Sequence, residues 1–550
     1  MTSLNASLPL AGSGYPAEAH AQISGMSART VILLLINIPV LAILLNVARQ
    51  LVVPRRKTDP PIVFHWLPFV GSAIAYGNNP LKFFFECREK HGDVFTFVLL
   101  GRHVTVALGP RGNSFILGGK SITFNAEDAY TPLTTPVFGR DVIYDVPNET
   151  FMQQKRFIKA GLSTDNLRAY VGMIEEEVED YFNEESSFRT FQTNDVKQWG
   201  QFDVVQVMQE ITILTASRTL QGKEVRANIN KEFAQIYNDL DGGFTATNLM
   251  LPNLPLESYR KRDRAQKKMS DFYVDIIRKR KTGHSEAEHD MISALLEQTY
   301  RDGEGLEDHQ VAHLMIALLM AGQHTSSASG SWALLHLAHN KDVADALYRE
   351  QVQHFGISDG TFRPMTYEEL RALPVLDSVI RETLRVHPPI HSIMRHVRED
   401  IAVPGTLSNP GKDKTYIISR GNFVMASPAV SQMDPRIWKN AEKWDPSRWS
   451  DPEGVAAQAF NTYVDDKGEK IDYGFGAVSK GTESPYQPFG AGKHRCIGEQ
   501  FAYMQLGTLL ATVIRKVELR IDAVPEHNYH TMITMPKEPR SISYRRRKAD

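Results

Sequence analysis

The spacing of apolar residues along the chain predicts a mainly helical protein. Residues 169–185, 308–339 and 370–386 carry apolar side chains at intervals of three and four, as one face of an α-helix requires. The second run opens on Asp308, which we predict as the N-cap of a long helix. Residues 93–109 hold two β-branched runs around Gly101, so they predict a β-hairpin. We therefore expect one large domain that is mainly α with small β-sheets.

An apolar run at residues 31–48 is about 18 residues long, near the lower limit for crossing a bilayer. A single arginine precedes it, whereas a basic group follows it (Arg49, Arg55, Arg56 and Lys57). This asymmetry predicts that the body lies in the cytosol. We expect residues 1–27 to be a lumenal tail, 28–53 a transmembrane anchor, 54–75 a proline-rich hinge and interfacial segment, and 76–550 the folded domain. A cleaved signal peptide and a core helix are the alternatives.

Composition and charge exclude several classes of protein. The 550 residues carry a net charge of -2, which gives no support for nucleic-acid binding. Cys87 and Cys496 are the only cysteines, too few for a disulfide framework, and they fit a reducing compartment. Residues 249–256 form a proline-punctuated break between two helical stretches, and residues 451–485 are polar and glycine-rich. The latter segment predicts a long surface insertion.

The second cysteine lies in the stretch FGAGKHRCIG, residues 489–498. A phosphate-binding loop is excluded, because Gln487 occupies the place of its first glycine and His494 that of its Ser/Thr. Structural zinc would require paired cysteines nearby, and covalent c-type haem would require C-x-x-C-H. An inert buried thiol and a cysteine that ligates a metal remain.

The surroundings of Cys496 favour the metal ligand. An amphipathic helical pattern follows at once, so backbone N–H groups at a helix start would stabilise a thiolate. Glycines leave room for a flat group close to the sulfur, and His494 and Arg495 add positive charge suited to carboxylates. A single thiolate ligand on haem iron favours cleavage of the O–O bond. The axial ligand of a haem iron is therefore a candidate role for Cys496 beside that of an inert thiol.

The stretch resembles the haem-binding signature of cytochrome P-450 monooxygenases, F-x-x-G-x-[RH]-x-C-x-G. The matching residues are Phe489, Gly492, His494, Cys496 and Gly498. The resemblance implies the cytochrome P-450 fold, with haem b between a long central helix and the cysteine loop, and makes residues 76–550 the catalytic domain. It also implies that His494 contacts a haem propionate, although most of the superfamily has arginine there.

Two upstream motifs support the resemblance. Glu382 and Arg385 lie three apart on a predicted helix and precede Arg448, in the order of the structural E-x-x-R lock of this family. Small and polar residues interrupt the long helix at AGQHTSS, residues 321–327. A polar notch is the simplest reading, but a hydroxyl beside an ionisable group also suits ordered proton delivery. We expect Thr325 to act as a proton relay, and His324 to be either a second relay or a core histidine.

Residues 130–147 and HSIMRHV, residues 391–397, resemble the fungal sterol 14α-demethylase subfamily, as does His324. That resemblance implies two sets of site residues. The propionate partners would be Tyr130, Tyr144, Lys155 and Arg395. The sterol cavity would be lined by Leu133, Phe138, Phe244, His391 and Met532.

The resemblance implies an enzyme of sterol (ergosterol) biosynthesis on the endoplasmic reticulum membrane. It would remove the 14α-methyl group of lanosterol or a 24-methylene relative in three oxidations that use O₂ and NADPH and release formate. Electrons would come from an NADPH–cytochrome reductase that meets Lys480 and Lys493, and azoles would bind the iron. The alternatives are another steroid or lipid hydroxylase, a reductase-independent thiolate-haem isomerase or dehydratase, and a non-enzymatic haem sensor or steroid-binding protein.

Overall fold

The structure is a computed structural model that describes residues 28–252, 254–283, 290–408, 415–464 and 481–548. The predicted tail, residues 1–27, lies outside the described residues. The α-helices are α1 (Ala28–Val52), α2 (Ala73–Asn78), α3 (Pro80–His91), α4 (Gly109–Leu117), α5 (Glu127–Phe138), α6 (Asn148–Gly161), α7 (Thr164–Glu184), α8 (Arg189–Gln192), α9 (Val204–Ala216), α10 (Lys223–Ala227), α11 (Lys231–Asp241), α12 (Ala246–Met250), α13 (Glu257–Lys281), α14 (Met291–Leu296), α15 (Asp308–His339), α16 (Lys341–Phe355), α17 (Tyr367–Leu370), α18 (Pro374–Val386), α19 (Gly405–Ser408), α20 (Pro428–Gln432), α21 (Val455–Tyr463) and α22 (Glu499–Lys516). Short helices of other types lie at Ile143–Asp145, Ser186–Phe188, Ser217–Gln221, Pro446–Trp449 and Gly492–His494.

The strands form small sheets at the edges of the helical body. They are β1 (Val94–Leu99), β2 (Arg102–Ala107), β3 (Phe124–Asn125), β4 (Gly200–Asp203), β5 (Ile393–Val397), β6 (Ile401–Ala402), β7 (Ile417–Ile418), β8 (Phe423–Ala426), β9 (Val517–Arg520), β10 (His527–Asn528), β11 (Met535–Pro536) and β12 (Ser541–Arg546). The largest sheet has the order β1-β2-β8-β5-β3, and β4-β12-β9 form a second. The prediction of a mainly α protein with small sheets is confirmed.

The predicted hairpin at residues 93–109 is confirmed. Strands β1 and β2 pair antiparallel from Val94 opposite Ala107 to Leu99 opposite Arg102. Gly101 turns the chain with a φ of 79°, a left-handed conformation that glycine adopts without strain. Strand β2 then pairs in parallel with β8, which joins the hairpin to the segments before the cysteine loop.

Helix α15 runs through the centre of the body, and its predicted range is confirmed. It contacts α9, α13 and α22 and is buried around most of its circumference. The predicted cap was wrong by one residue, because Glu307 and Gln310 form a capping box in which each side chain accepts from the other's backbone N–H.

Two other expectations from the sequence need correction. Residues 370–386 are not one helix: α17 ends at Leu370 and α18 begins at Pro374, since proline has no N–H to donate inside a helix. Residues 451–485 are not wholly a surface insertion. Helix α21 buries Ala456, Ala459 and Tyr463, while residues 465–480 lie outside the described part of the chain.

Helix α1 extends from this body, which it contacts through Asn46 and Gln50 near its C-terminal end. Within the described residues, Leu35–Val52 is the span that is long and apolar enough to cross a membrane, and none of it is buried in the protein. Exposed apolar side chains along the whole span suit a lipid environment better than water. The boundaries drawn from the sequence around this anchor stay a prediction.

Candidate active site

The central helix α15 is buried along most of its length, but one of its faces is incompletely covered and is called the open stripe. Between residues 311 and 338, the incompletely buried residues are Leu318, Ala321, Gly322, His324 and Thr325. Four of them follow the spacing of a single helix face, residues 318, 321, 322 and 325. A Cβ added to Gly322 would meet no atom within 4 Å. Since the helix is otherwise enclosed, this stripe borders an internal space.

The cysteine loop presents a second uncovered surface inside the protein. Ala491, Gly492 and Arg495 are buried, whereas the Cys496 side chain is exposed. The loop folds back because the Cys496 N–H donates to the Phe489 carbonyl at 3.0 Å. Burial of the position raises the pKa of the Cys496 thiol, and a hydrogen bond from the Gly498 backbone N–H opposes that rise. The Cys496 sulfur thus faces away from the packed side of the loop and accepts a hydrogen bond from the Gly498 backbone N–H.

The open surfaces of the helix and the loop lie near one helix crossing. A Cβ on Gly330 of α15 would come within 3.6 Å of Leu506 of α22, so the two helices pack closely there. Thr325 precedes Gly330 by five residues, which is about 7.5 Å of helix. Cys496 precedes Leu506 by ten residues, about 15 Å if the loop rose like helix. Both uncovered surfaces therefore lie within about two or three helical turns of the point where α15 and α22 pack together.

A group of aromatic and cationic residues lies beside the loop. Tyr130 and Tyr144 stack with ring centroids 5.3 Å apart, and the His494 ring lies 6.1 Å from Tyr144. Lys155 Nζ donates to the carbonyls of Lys493 at 2.7 Å and Arg495 at 3.2 Å. The predicted propionate partners therefore approach the cysteine loop from α5, the short helix Ile143–Asp145 and α6.

Arg395 of strand β5 completes this group. Its guanidinium is buried and donates to the Met394 carbonyl at 2.8 Å. It has no ion pair with a carboxylate in the described part of the chain. Burying a cation without a counter-charge is costly, so Arg395 favours an anionic ligand at this place.

The protonation states of the group also suit a dicarboxylate. Burial raises the pKa of Tyr144 to about 12, against the effect of Arg395, so its hydroxyl remains a donor. Burial and the charges of Arg395, Lys155 and Lys493 lower the pKa of His494 far below its usual value. His494 is therefore neutral, unlike the positive group expected from the sequence.

Two buried atoms in this region have no hydrogen-bond partner among the described residues. They are His494 Nδ1 and Glu127 Oε2. His494 Nε2 lies 3.4 Å from Asn148 Nδ2, which also donates to Glu127 Oε1 at 2.9 Å. Orphaned buried polar atoms are rare in native proteins. His494 Nδ1, together with the Tyr130, Tyr144, Lys155 and Arg395 donors, fits the propionates of haem, and the thiol fits its iron, whereas the Glu127 carboxylate only accepts and offers no bond to a propionate.

Arg495 contributes to the packed side of the loop and not to the open side. Its guanidinium forms hydrogen bonds of 2.8 and 2.9 Å with Glu499, lies 3.5 Å from the centroid of the Tyr463 ring and donates to the Tyr463 carbonyl. Tyr463 Oη in turn donates to the Gly490 carbonyl at 3.0 Å. Tyr463 was not predicted as a contact of the loop, because it lies in the segment interpreted as an insertion.

The E-x-x-R motif forms a buried lock behind the loop. Arg385 Nε and Nη2 donate to both oxygens of Glu382 at 2.9 and 2.8 Å, and both side chains are fully buried. Arg448 Nε adds a bond of 3.0 Å to Glu382. Arg385 Nη1 also donates to the carbonyl of Gln432, whose side-chain oxygen accepts from the Gln487 N–H. The lock is thereby tied to the segment that enters the cysteine loop.

His324 and Thr325 point to different partners. His324 Nε2 lies 2.9 Å from Asp241 Oδ1 and 3.2 Å from Tyr237 Oη on α11. Because a carboxylate only accepts, His324 Nε2 carries a hydrogen. Thr325 Oγ1 donates to the Ala321 carbonyl at 2.8 Å, on the open stripe. No sequence pattern marks Asp241, because its position depends on the packing of α11 against α13.

The predicted sterol-lining residues lie on several elements. Phe138 of α5 stacks on Phe244 at 5.9 Å, and Leu133 is buried one turn earlier on α5. His391 contacts the ring of Tyr529 at 6.0 Å. Burial lowers the pKa of His391 to about 4, so its imidazole is neutral.

Met532 is half-buried in the loop between β10 and β11. Thr534 of that loop accepts from Trp332 Nε1 at 3.1 Å and donates its N–H to the Pro389 carbonyl. The loop is thus fixed against α15 and the segment after α18.

Comparison with known proteins decides the family. The cytochrome P450 family model matches residues 60–544, which include the lock, the open stripe and the cysteine loop. The chain belongs to the cytochrome P450 family. The haem-thiolate iron implied by this P450 membership agrees with the donors described above.

Relatives and a solved structure extend the comparison. The chain is 52% identical over 92% of its length to "Lanosterol 14-alpha demethylase" of Mycosarcoma maydis, covering 91% of that protein. It is 48% identical over 92% to "Sterol 14-alpha demethylase cyp51A" of Aspergillus fumigatus, covering 96%. The structure titled "Retinoic acid bound cyanobacterial CYP120A1" has a TM-score of 0.71 and 20% identity, covering 90% of this chain and 100% of that one. At that identity the likeness shows the P450 fold alone.

Proposed function

We propose that this P450 removes the 14α-methyl group of lanosterol or a 24-methylene relative, as an enzyme of ergosterol biosynthesis. The observation that carries the proposal is the 52% identity to a lanosterol 14α-demethylase over 92% of the chain. The methyl group would leave in three successive oxidations, first to the alcohol, then to the aldehyde, and finally as formate with cleavage of the C–C bond. Each oxidation consumes one O₂ and two electrons.

The residues around the cysteine loop would hold haem b. Cys496 supplies the thiolate for the iron, while Tyr130, Tyr144, Lys155, Arg395 and His494 offer donors to the two propionates. Haem bound with a thiolate ligand supplies the reductive activation of O₂ that an unactivated methyl group requires. The Glu382–Arg385–Arg448 lock and the Tyr463–Arg495–Glu499 contacts keep the loop in place from behind.

The central helix would provide protons at two atoms. His324 would first release its Nε2 proton toward the active site, and Asp241, whose side chain is exposed, would then take up a proton from solvent and return it to His324 Nε2. Thr325 Oγ1 would give up its bond to Ala321, donate its proton on the open stripe and take up another from water. Positioned proton donors of this kind contribute about 100-fold or more to a rate.

The apolar residues would exclude water and orient the sterol. Phe138, Phe244, Leu133 and Met532 offer walls that suit a rigid hydrocarbon skeleton, because burial of apolar surface is the main driving force for such a ligand. The neutral His391 brings a polar group without a charge into this lining. An azole inhibitor would enter the same cavity as the sterol and bind the iron through its ring nitrogen.

Electrons would come from an NADPH–cytochrome reductase on the endoplasmic reticulum membrane, with the catalytic domain facing the cytosol. The exposed Lys493 lies on the cysteine loop, where a cation can attract an acidic reductase face. Lys480, the other predicted contact, lies outside the described residues. Unchanged salt dependence of reduction in Lys493→Glu would remove this contact from the proposal.

The experiment that tests the function follows the methyl carbon. The purified full chain is reconstituted with an NADPH–cytochrome reductase and a sterol labelled in its 14α-methyl group. We expect labelled formate in a one-to-one ratio with demethylated sterol, and none without NADPH or O₂. Hydroxylation elsewhere on the sterol would support the steroid-hydroxylase alternative, and turnover without NADPH would support an isomerase or dehydratase.

A further inference from the structure

The end of the membrane helix is docked on the folded body by specific hydrogen bonds. Asn46 Nδ2 donates to the carbonyls of His65 and Trp66 at 2.9 and 3.0 Å. Gln50 bonds the backbone of His65 in both directions, at 2.7 Å to its carbonyl and 3.2 Å from its N–H. These bonds fix the exit angle of α1, so the last turn of the anchor is a wall of the domain and not a loose tether.

A cleft of about 700 Å³ lies between this last turn, the hinge and the sheet. Arg49 of α1 and Arg55 and Arg56 of the hinge line one side. His103 and Thr105 of β2 lie on the other. The cleft is large enough to enclose a polar headgroup of a lipid together with its phosphate.

The charge of this cleft is strongly positive. Its lining contains three arginines and one carboxylate, Asp59. None of these arginines pairs with a carboxylate among the described residues, and the contact of Arg55 is a 3.5 Å bond to the Ile62 carbonyl. Burial, followed by the charges of Arg49, His65 and Arg55, lowers the pKa of His103. The positive field therefore converges inside the cleft, which favours a phosphate.

Exposed apolar side chains lie next in sequence to residues that line the cleft, which include Gln50, Val53 and His65. On the anchor, Leu51 and Val52 are 74% and 77% exposed, and in the segment after the hinge Phe64 and Trp66 are 44% and 65% exposed. Tryptophan and arginine together at the end of a membrane helix are typical of the headgroup layer. A free phosphate ion would satisfy the arginines but leave this apolar surface in water.

We propose that the cleft binds the headgroup of an anionic glycerophospholipid. The phosphate lies among Arg49, Arg55 and Arg56, and the acyl chains run along Leu51, Val52 and Trp66. The bound lipid thereby ties the anchor to the sheet and fixes the tilt of the catalytic domain on the membrane. The proposal depends on α1 lying in a bilayer and is independent of the sterol reaction.

Titration with acyl-chain-brominated lipids tests the proposal, because bromine quenches nearby tryptophans and Trp66 directly follows His65 of the cleft lining. The full chain with haem is placed in detergent micelles and titrated with brominated phosphatidylserine or brominated phosphatidylcholine. The wild type should be quenched at a lower mole fraction of phosphatidylserine than of phosphatidylcholine. Arg49→Gln should raise the half-saturating fraction about fivefold, which corresponds to about 1 kcal/mol for one cation.

A matched pair of triple variants separates this site from general charge. Arg49→Gln/Arg55→Gln/Arg56→Gln should lose the preference for phosphatidylserine, and Lys341→Gln/Lys439→Gln/Arg520→Gln, which changes exposed cations outside the cleft, should keep it. An unchanged carbon monoxide difference spectrum verifies folding of each variant. The proposal would be overturned if both triple variants preferred phosphatidylserine over phosphatidylcholine to the same degree. It would also be overturned if millimolar inorganic phosphate displaced the lipid.

Discussion

Three histidines form a hydrogen-bonded row at the base of the central helix. His336 Nε2 lies 2.7 Å from His387 Nε2, and His387 Nδ1 lies 2.7 Å from His527 Nε2. His387 stacks on Trp332 at 3.9 Å and His336 on Trp444 at 4.6 Å. The row joins α15, the end of α18 and strand β10, so its protonation state affects the packing of three elements.

This row should make the fold sensitive to acid. Burial lowers the pKa of His336 to about 3, with further contributions from His339 and His527. Burial also lowers the pKa of His527 to about 4 and that of His387 well below its usual value. A histidine in the unfolded chain has a pKa of about 6.5. Between these values the unfolded chain binds protons that the folded chain does not, so stability is full above about pH 6.5 and is lost as the pH falls.

The expected magnitude is large compared with the stability of a domain. From pH 6.5 to 5, each histidine contributes a loss of about 2 kcal/mol, at about 1.36 kcal/mol per pH unit. Three such groups remove about 6 kcal/mol, whereas native proteins are stable by only about 5–15 kcal/mol.

Urea unfolding of the full chain with haem, followed by near-ultraviolet circular dichroism, measures this loss at pH 7, 6 and 5. His336→Phe keeps an apolar ring against Trp444 and removes one titrating group. Between pH 7 and pH 5, the free energy of unfolding of His336→Phe should fall by about 2 kcal/mol less than that of the wild type. His339→Gln, a change at an exposed position, should behave like the wild type. An identical pH slope for His336→Phe and wild type would refute the reasoning.

Three further predictions concern the lock, the propionate pocket and the proton path. Glu382→Gln should destabilise the fold by about 3–5 kcal/mol, because it leaves Arg385 buried without its carboxylate; the urea midpoint at pH 7 measures this, and a shift within error would contradict it. Arg395→Met should speed haem transfer to apomyoglobin about tenfold, the effect of losing about 1.4 kcal/mol from one charged contact, whereas unchanged transfer would remove Arg395 from the pocket. Asp241→Asn should slow demethylation about 100-fold and raise the solvent isotope effect on kcat with sterol binding unchanged; an unaltered isotope effect would mean that Asp241 only positions α11.

The central helix illustrates what the sequence alone could predict. Its range was predictable, because a long apolar run with helical recurrence has few alternatives in a protein of this size. The open stripe on one face was not, since Leu318 and Ala321 are apolar like their buried neighbours. Their exposure depends on how the other elements pack around α15, which the sequence of the helix itself does not specify.

The cysteine loop was predictable for a different reason. Its glycines, Cys496 and the helix that follows lie within one short segment, so local chemistry specifies the geometry. Asp241 and Tyr463 come from distant parts of the chain, and no spacing rule marks them. Tyr463 also lies in a polar segment, whose composition predicted a position on the surface. Its packing against Arg495 buries it instead.

The most direct test of the account is the ligation of haem by Cys496. The carbon monoxide difference spectrum of the reduced full chain should show the Soret band of thiolate-ligated haem, and Cys496→Ser should lose that band. A Soret band at the position typical of histidine-ligated haem in the wild type, or retention of the thiolate band by Cys496→Ser, would contradict the central claim.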